Sequence, residues 1–137
     1  LTLWLGTTST ASRASDVAAD DRQLPERVLA ALNTYRAQHG LAALVADPAL
    51  TLLADEHSRT MAQRRALGHE GFDARFARTG RRLCVENLAR NHQQAAALLV
   101  AWQRSPDHHA NLLAPEVRQV GIAVVDGYLA LLACTPD

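Results

Sequence analysis

A chain of 137 residues falls within the range of one domain and can bury a core without needing several disulfides or a structural metal. Fourteen basic side chains balance fourteen acidic ones, for a formal net charge of zero. That balance excludes a broad electrostatic attraction to nucleic acid or anionic membrane, so no nucleic-acid partner is expected.

The front of the chain, residues 1–22, runs from the short apolar block LTLWLG into Ser, Thr and Ala, and Ser12-Arg13-Ala14 resembles a small-residue cleavage site. This reads as a signal-peptide remnant or a flexible N-terminus, ahead of one domain over 23–137. The block is far too short to span a bilayer, and no transmembrane segment is expected in this chain. An export signal places the protein outside the cell or in a periplasm.

From Leu24 to Gln38, apolar Leu24, Val28, Ala31, Leu32 and Tyr35 recur at helical spacing, with Pro25 in the first turn and Gly40 beyond the end. A second helix follows Asp47-Pro48, a cap and a first-turn proline, with Leu50, Leu53, Ala54, His57 and Met61 on one face and Gly68 as its stop. Residues 70–83 mix aromatic, basic and Gly residues without a sustained period and read as an irregular connection. VENLA, after Cys84, fits a strand or a helical turn. A third helix is expected from Gln93 to Arg104, and a short fourth one from the cap Ser105 and Pro106 to Pro115.

The last segment is the clearest. VGIAVV, Asp126-Gly127 and YLALLAC form two β-prone runs around a type I′ turn signal. Adjacent apolar pairs, Val124-Val125 and Leu131-Leu132, make both faces of that hairpin apolar. A sheet covered on both sides satisfies this, so the expected fold is α/β, a three-layer α/β/α sandwich with a small antiparallel sheet between helices. Cys84 and Cys134, the only cysteines, fit one bridge in an oxidising compartment, the alternative being two buried thiols.

Among the histidines, His57 lies on an apolar helical face and reads as a satisfied core residue. His39 sits at a helix end, and His92 near a solvated helix start. His108 and His109 are adjacent, about 100° apart on a helix, so one of them at most faces a given cleft. Their apolar neighbours do not distinguish them. The zinc-protease pattern is absent, because His69-Glu70 runs into Gly71-Phe72-Asp73, and no nucleophile elbow surrounds Ser58, Thr60 or Ser105. Arg75, Arg78, Arg81 and Arg82 could line an anion-binding rim, although such runs are by default solvated.

Six stretches taken together resemble the CAP superfamily of cysteine-rich secretory, antigen 5 and pathogenesis-related proteins, in its small bacterial form. They are LNTYRAQHGLAAL (32–44), DPALTLLADEHSRTMA (47–62), GHEGF (68–72), ENLA (86–89), WQRSPDHHANLL (102–113) and VGIAVV (120–125). The resemblance implies an α/β/α sandwich and a cleft of histidines and glutamates able in some members to hold a divalent metal such as zinc. Carried over by position, His69 is the first cleft histidine, Glu86 the motif glutamate and His108 the histidine of the bacterial Ser-Pro-x-His-Arg-x-Asn signature. His109 then falls on its arginine. A second family glutamate, three residues after the helix tryptophan, is replaced here by Ser105, leaving a three-residue set with Glu116 as the only nearby substitute.

That set admits three chemistries. His69 and His108 could be metal ligands beside Glu86, as a metal-assisted hydrolase or peptidase needs. Glu86 could orient a histidine as a general base without metal. Or the three side chains could form a buried polar network. The leading functional expectation is a secreted or periplasmic protein whose His69, Glu86 and His108 cleft binds a ligand, lipid or cell-envelope component. A non-catalytic scaffold for a protein partner is the further alternative, and oligomeric state is not legible.

Overall fold

Helix α1 (Thr10–Gln38) enters the fold where its apolar stripe begins, with Leu24, Val28 and Leu32 buried. The computed structural model describes the backbone from residue 10 and side chains from residue 22 to the end of the chain. The expected leader remnant or flexible terminus over 1–22 therefore lies for the most part outside the described residues. Because the helix starts before Leu24, Pro25 is inside it and not in its first turn. Each fully buried Leu or Val on this stripe contributes about 1.5–3 kcal/mol relative to exposure.

A two-residue strand, β1 (Val45–Ala46), leads into α2 (Pro48–Arg64), whose cap is Asp47 with its carboxylate accepting from the Leu50 amide at 3.0 Å. The helix stops at Arg65, in the left-handed region at φ 52°, with Arg65 N–H on Ala62 O and Ala66 N–H on Met61 O. This Schellman-type pair of bonds corrects the expected stop at Gly68. Gly68 serves differently, its carbonyl accepting from His57 Nε2 at 2.8 Å and folding the loop back onto the helix.

The stretch expected to be irregular holds a helix, α3 (Phe72–Thr79), bracketed by Gly71 and Gly80, both at positive φ. Phe72, Arg75, Phe76 and Thr79 turn inward at helical spacing. The period is hidden in sequence because its most buried member is an arginine, Arg75. VENLA resolves as strand β2 (Cys84–Arg90), followed by α4 (Ala95–Gln103) and α5 (Pro106–Leu112). The hairpin is β3 (Gln119–Val125) and β4 (Tyr128–Cys134), with Asp126 and Gly127 both at positive φ as a type I′ turn requires.

The strands lie in the order β1-β3-β4-β2, antiparallel except that β1 runs parallel to β3. The sheet is thus mixed, an antiparallel trio with a short parallel edge. Leu129, Leu131 and Ala133 pack with α1 and α4 on one face, while Tyr128, Ala130 and Leu132 pack with α2 on the other. This confirms the α/β/α layering. Gly121 lets α2 lie directly on β3, since a Cβ there would overlap the backbone of Leu50 and Thr51.

Cys84 and Cys134 face one another across β2 and β4 and are bonded. Closing a loop of this length stabilises a fold by roughly 4 kcal/mol in the chain-entropy model. On the other side of the fold, fully buried Arg36 ties α1 to the segment after α5, donating to the carbonyls of Ala42, Leu112 and Ala114.

Candidate functional site

Strand β2 is an edge strand, and its alternation sends neighbouring side chains to opposite layers. Glu86 shares the α2 side with Leu88, whereas Asn87 points toward α5 with Ala89. Two carbonyls of this edge accept from side chains: Trp102 Nε1 donates to Leu88 O at 3.0 Å and Asn111 Nδ2 to Glu86 O at 3.3 Å.

On the α2 side, Glu86 is 6% exposed and both of its oxygens are occupied. Arg75 of α3 donates through Nε to Oε2 at 2.9 Å and through Nη2 to Oε1 at 2.7 Å, a bidentate pair. The His69 Nδ1 lies 3.0 Å from the same Oε1. A carboxylate only accepts, so Nδ1 carries the hydrogen and the ring's Nε2 is left free. The His69 side chain is 53% exposed, and that nitrogen belongs to the solvent-facing part of the site.

His57 of α2 completes the cluster. Its Nε2–H donates to Gly68 O, and the same nitrogen lies 3.9 Å from Glu86 Oε1. Burial, then the Arg75 charge, push its pKa below the usual histidine value, with Glu86 acting in the opposite sense. Neutral His57 is therefore the favoured form. It is a satisfied core histidine, as its helical face suggested, and it also borders the motif glutamate.

His69 and Glu86 are thus brought together as the sequence suggested. His108 enters through its backbone: its carbonyl accepts from Asn87 Nδ2 at 3.1 Å, and no hydrogen bond or ion pair joins its side chain to His69 or Glu86 among the described residues. Its neighbour His109 is paired elsewhere, with Nε2 2.6 Å from the Tyr35 hydroxyl. Glu116 is exposed. From α5 the residue that reaches the site is Asn111, which bonds both Glu86 O and Asn87 Oδ1. Among the described residues no group of three or more His, Cys, Asp or Glu side chains is gathered to hold a metal ion.

Several hollows border the cluster, two of them larger than the rest. A hollow of about 270 Å³ at the β2 edge is lined by His69, Phe72, Cys84, Val85, Glu86 and Asn111. A second, of about 430 Å³ between α2 and α3, reaches His57 and Arg75 past the ion pairs Arg78–Glu56 and Arg64–Glu70. The four arginines of the 75–82 stretch do not make one rim. Arg75 is buried on Glu86, Arg78 pairs with Glu56, buried Arg81 bonds Gln119 and the Thr135 carbonyl, and Arg82 is exposed.

The sequence offered Arg75 as part of an anion-binding rim and not as the partner of Glu86, and it showed no sign of Asn87 or Asn111. The readable signal for Arg75 was the spacing Phe72, Arg75, Phe76, Thr79 between two glycines, once an arginine is admitted as an inward residue.

No helix among the described residues is long and apolar enough to cross a membrane. Among solved structures, an extracellular SCP-domain protein of Bacillus anthracis superposes with a TM-score of 0.76 at 22% identity, over 98% of this chain and 46% of that one. A cysteine-rich secretory protein of Staphylococcus aureus gives 0.77 at 15% identity, over 85% of this chain and 39% of its own. An outer surface protein of Borrelia burgdorferi gives 0.73 at 20% identity, over 87% and 94%. This chain spans less than half the length of the first two. At such identities the likeness is one of fold. No curated protein matches the sequence significantly. The family model for cysteine-rich secretory proteins matches residues 29–130, which contain His57, His69, Arg75 and Glu86, and the chain belongs to that family, CAP.

Proposed function

We propose that this domain is an extracellular or periplasmic binding module without catalysis of its own, and that its His69 hollow takes a component of the cell envelope. The observation that carries this reading is the saturation of Glu86 by Arg75 and His69. A carboxylate so neutralised has little left to give as a base or ligand, whereas the side chains of His69, Phe72 and Asn111 line the hollow. An imidazole nitrogen, an aromatic ring and an amide suit a ligand rich in hydroxyls with apolar C–H faces, which favours an envelope glycan over a lipid tail. The disulfide fits an oxidising compartment, and the fold relatives described as extracellular or outer-surface proteins support the location. The test is sedimentation of the purified domain with peptidoglycan and, separately, with phospholipid vesicles. Wild type should co-sediment with the glycan polymer, and H69A should weaken that at least tenfold; equal sedimentation of both proteins would refute the reading.

One observation favours a second reading, a metal-free hydrolase or peptidase. His69 is oriented by Glu86 through Nδ1 with its other nitrogen free, the arrangement in which an imidazole takes a proton from water. Hydrolysis of ester or peptide substrates by wild type and not by H69A would move the protein to this class.

A further inference from the structure

The geometry points to Arg75 as a built-in cation that stands in the place of a divalent metal, so that this cleft excludes zinc for as long as the guanidinium is present. The inference concerns the residues of the proposed binding site but does not depend on the ligand, and failure of glycan binding would leave it standing.

A metal seated on the inner side of this cluster, against Glu86 Oε1, would need lone pairs from that oxygen, His69 Nδ1 and His57 Nε2; the oxygen already accepts two hydrogen bonds and both nitrogens carry hydrogens, so His69 keeps its lone pair only on the solvent-facing Nε2. Both Glu86 oxygens accept from Arg75, and Oε1 accepts from His69 Nδ1 as well. His57 Nε2 donates to the Gly68 carbonyl. The guanidinium also holds the loop that carries His69: Nη1 donates to the Glu70 carbonyl at 2.7 Å and Nη2 approaches the His69 carbonyl at 3.4 Å. Arg75 thereby neutralises the carboxylate and fixes both the backbone and the acceptor of His69. A second cation would meet this fixed positive charge and a carboxylate with no charge to spare. Arg75 is 8% exposed, and its guanidinium donates to both Glu86 oxygens and to the Glu70 carbonyl.

The same geometry says what its removal would expose. Zinc in a tetrahedral site takes nitrogen and oxygen ligands at about 2.0–2.2 Å, which sets neighbouring donor atoms about 3.3 Å apart. His69 Nδ1 and His57 Nε2 lie 3.0 Å and 3.9 Å from Glu86 Oε1, on either side of that spacing. With the guanidinium gone, and each imidazole proton shifted to its other nitrogen, Glu86 is left as an uncompensated carboxylate flanked by two ring nitrogens that side-chain rotation can turn toward one cation. His108 has no part in this set.

The experiment is calorimetric titration of zinc chloride into wild type, H69A, R75M and the double variant R75M/H69A, with thermal melting of each to establish folding. Wild type should match H69A, showing no His69-dependent binding. R75M should gain a one-to-one site of micromolar affinity, at least a hundredfold tighter than any wild-type binding, and lose it in the double variant. A merely structural arginine would not create a zinc site on removal. His69-dependent micromolar binding by wild type would overturn the inference, as would a folded R75M that takes no zinc. R75Q, which keeps a donor for the Glu70 carbonyl, replaces R75M if the latter does not fold. If neither folds, wild type beside H69A decides alone, with His69-dependent binding against the inference and its absence for it.

Discussion

Arg75 and Glu86 form a bidentate pair at 2.7 and 2.9 Å between α3 and the edge strand β2, with both side chains almost wholly removed from water. The short helix is thus held to the sheet by a buried ion pair in addition to the apolar packing of Phe72 against the cluster that holds Leu132 and Cys134. Breaking one side of such a pair leaves the other charge buried and alone.

Glu86→Ala is therefore expected to lower the unfolding free energy by about 3–5 kcal/mol, the range for orphaning one partner of a buried ion pair. Urea denaturation followed by circular dichroism measures it. A loss below about 1 kcal/mol would mean that the pair behaves as an exposed surface bridge.

His57 gives the fold a pH dependence with a definite sign. Its folded pKa lies below the ordinary value of 6.5 because burial, followed by the Arg75 charge, disfavours the imidazolium. Between that lowered value and 6.5 the unfolded chain binds more protons than the folded one, so stability rises with pH. The contribution is complete above 6.5 and declines as pH falls through the window below it. Denaturation series from pH 7.5 to 5 should show this slope in wild type and a flatter one in H57Q; identical slopes would assign the pH dependence to other groups.

Gly121 is where the α2 backbone rests on β3, and any Cβ would overlap Leu50 and Thr51. Backbone cannot yield as a side-chain tip can. Gly121→Ala is expected to destabilise by about 3 kcal/mol or more, the upper part of the overpacking range. Gly68→Ala, with open space around its Cβ position, is the matched control and should change little. Melting temperatures of the two variants, measured side by side, check the contrast.

The hairpin, the capped start of α2 and the buried stripe of α1 were legible because each is written in neighbouring residues: a positive-φ turn pair, Asp47 before Pro48, and apolar spacing at three and four. The layering followed from the apolar pairs that coat both faces of β3 and β4. Helix α3 was hidden because periodicity is read from apolar side chains and its most buried inward residue is a charged one. The end of α2 was misplaced because Arg65 takes a left-handed conformation usually left to glycine, three residues ahead of the glycine that looked like the stop.

For the site, sequence resemblance located Glu86 and His69 and tertiary structure chose their company. The alternation of β2 sends Glu86 to one layer and Asn87 to the other, and a one-residue change of register would exchange them. Register is set by pairing with β4, more than forty residues away in the chain. So it is the sheet, and the docking of α3 beneath it, that gives Glu86 to Arg75 and His69, and leaves His108 joined to the strand through its backbone carbonyl and Asn87. Local patterns determined the elements and most of the layers; which charges meet was decided by contacts between segments distant in sequence, because an ion pair leaves no periodic trace along the chain.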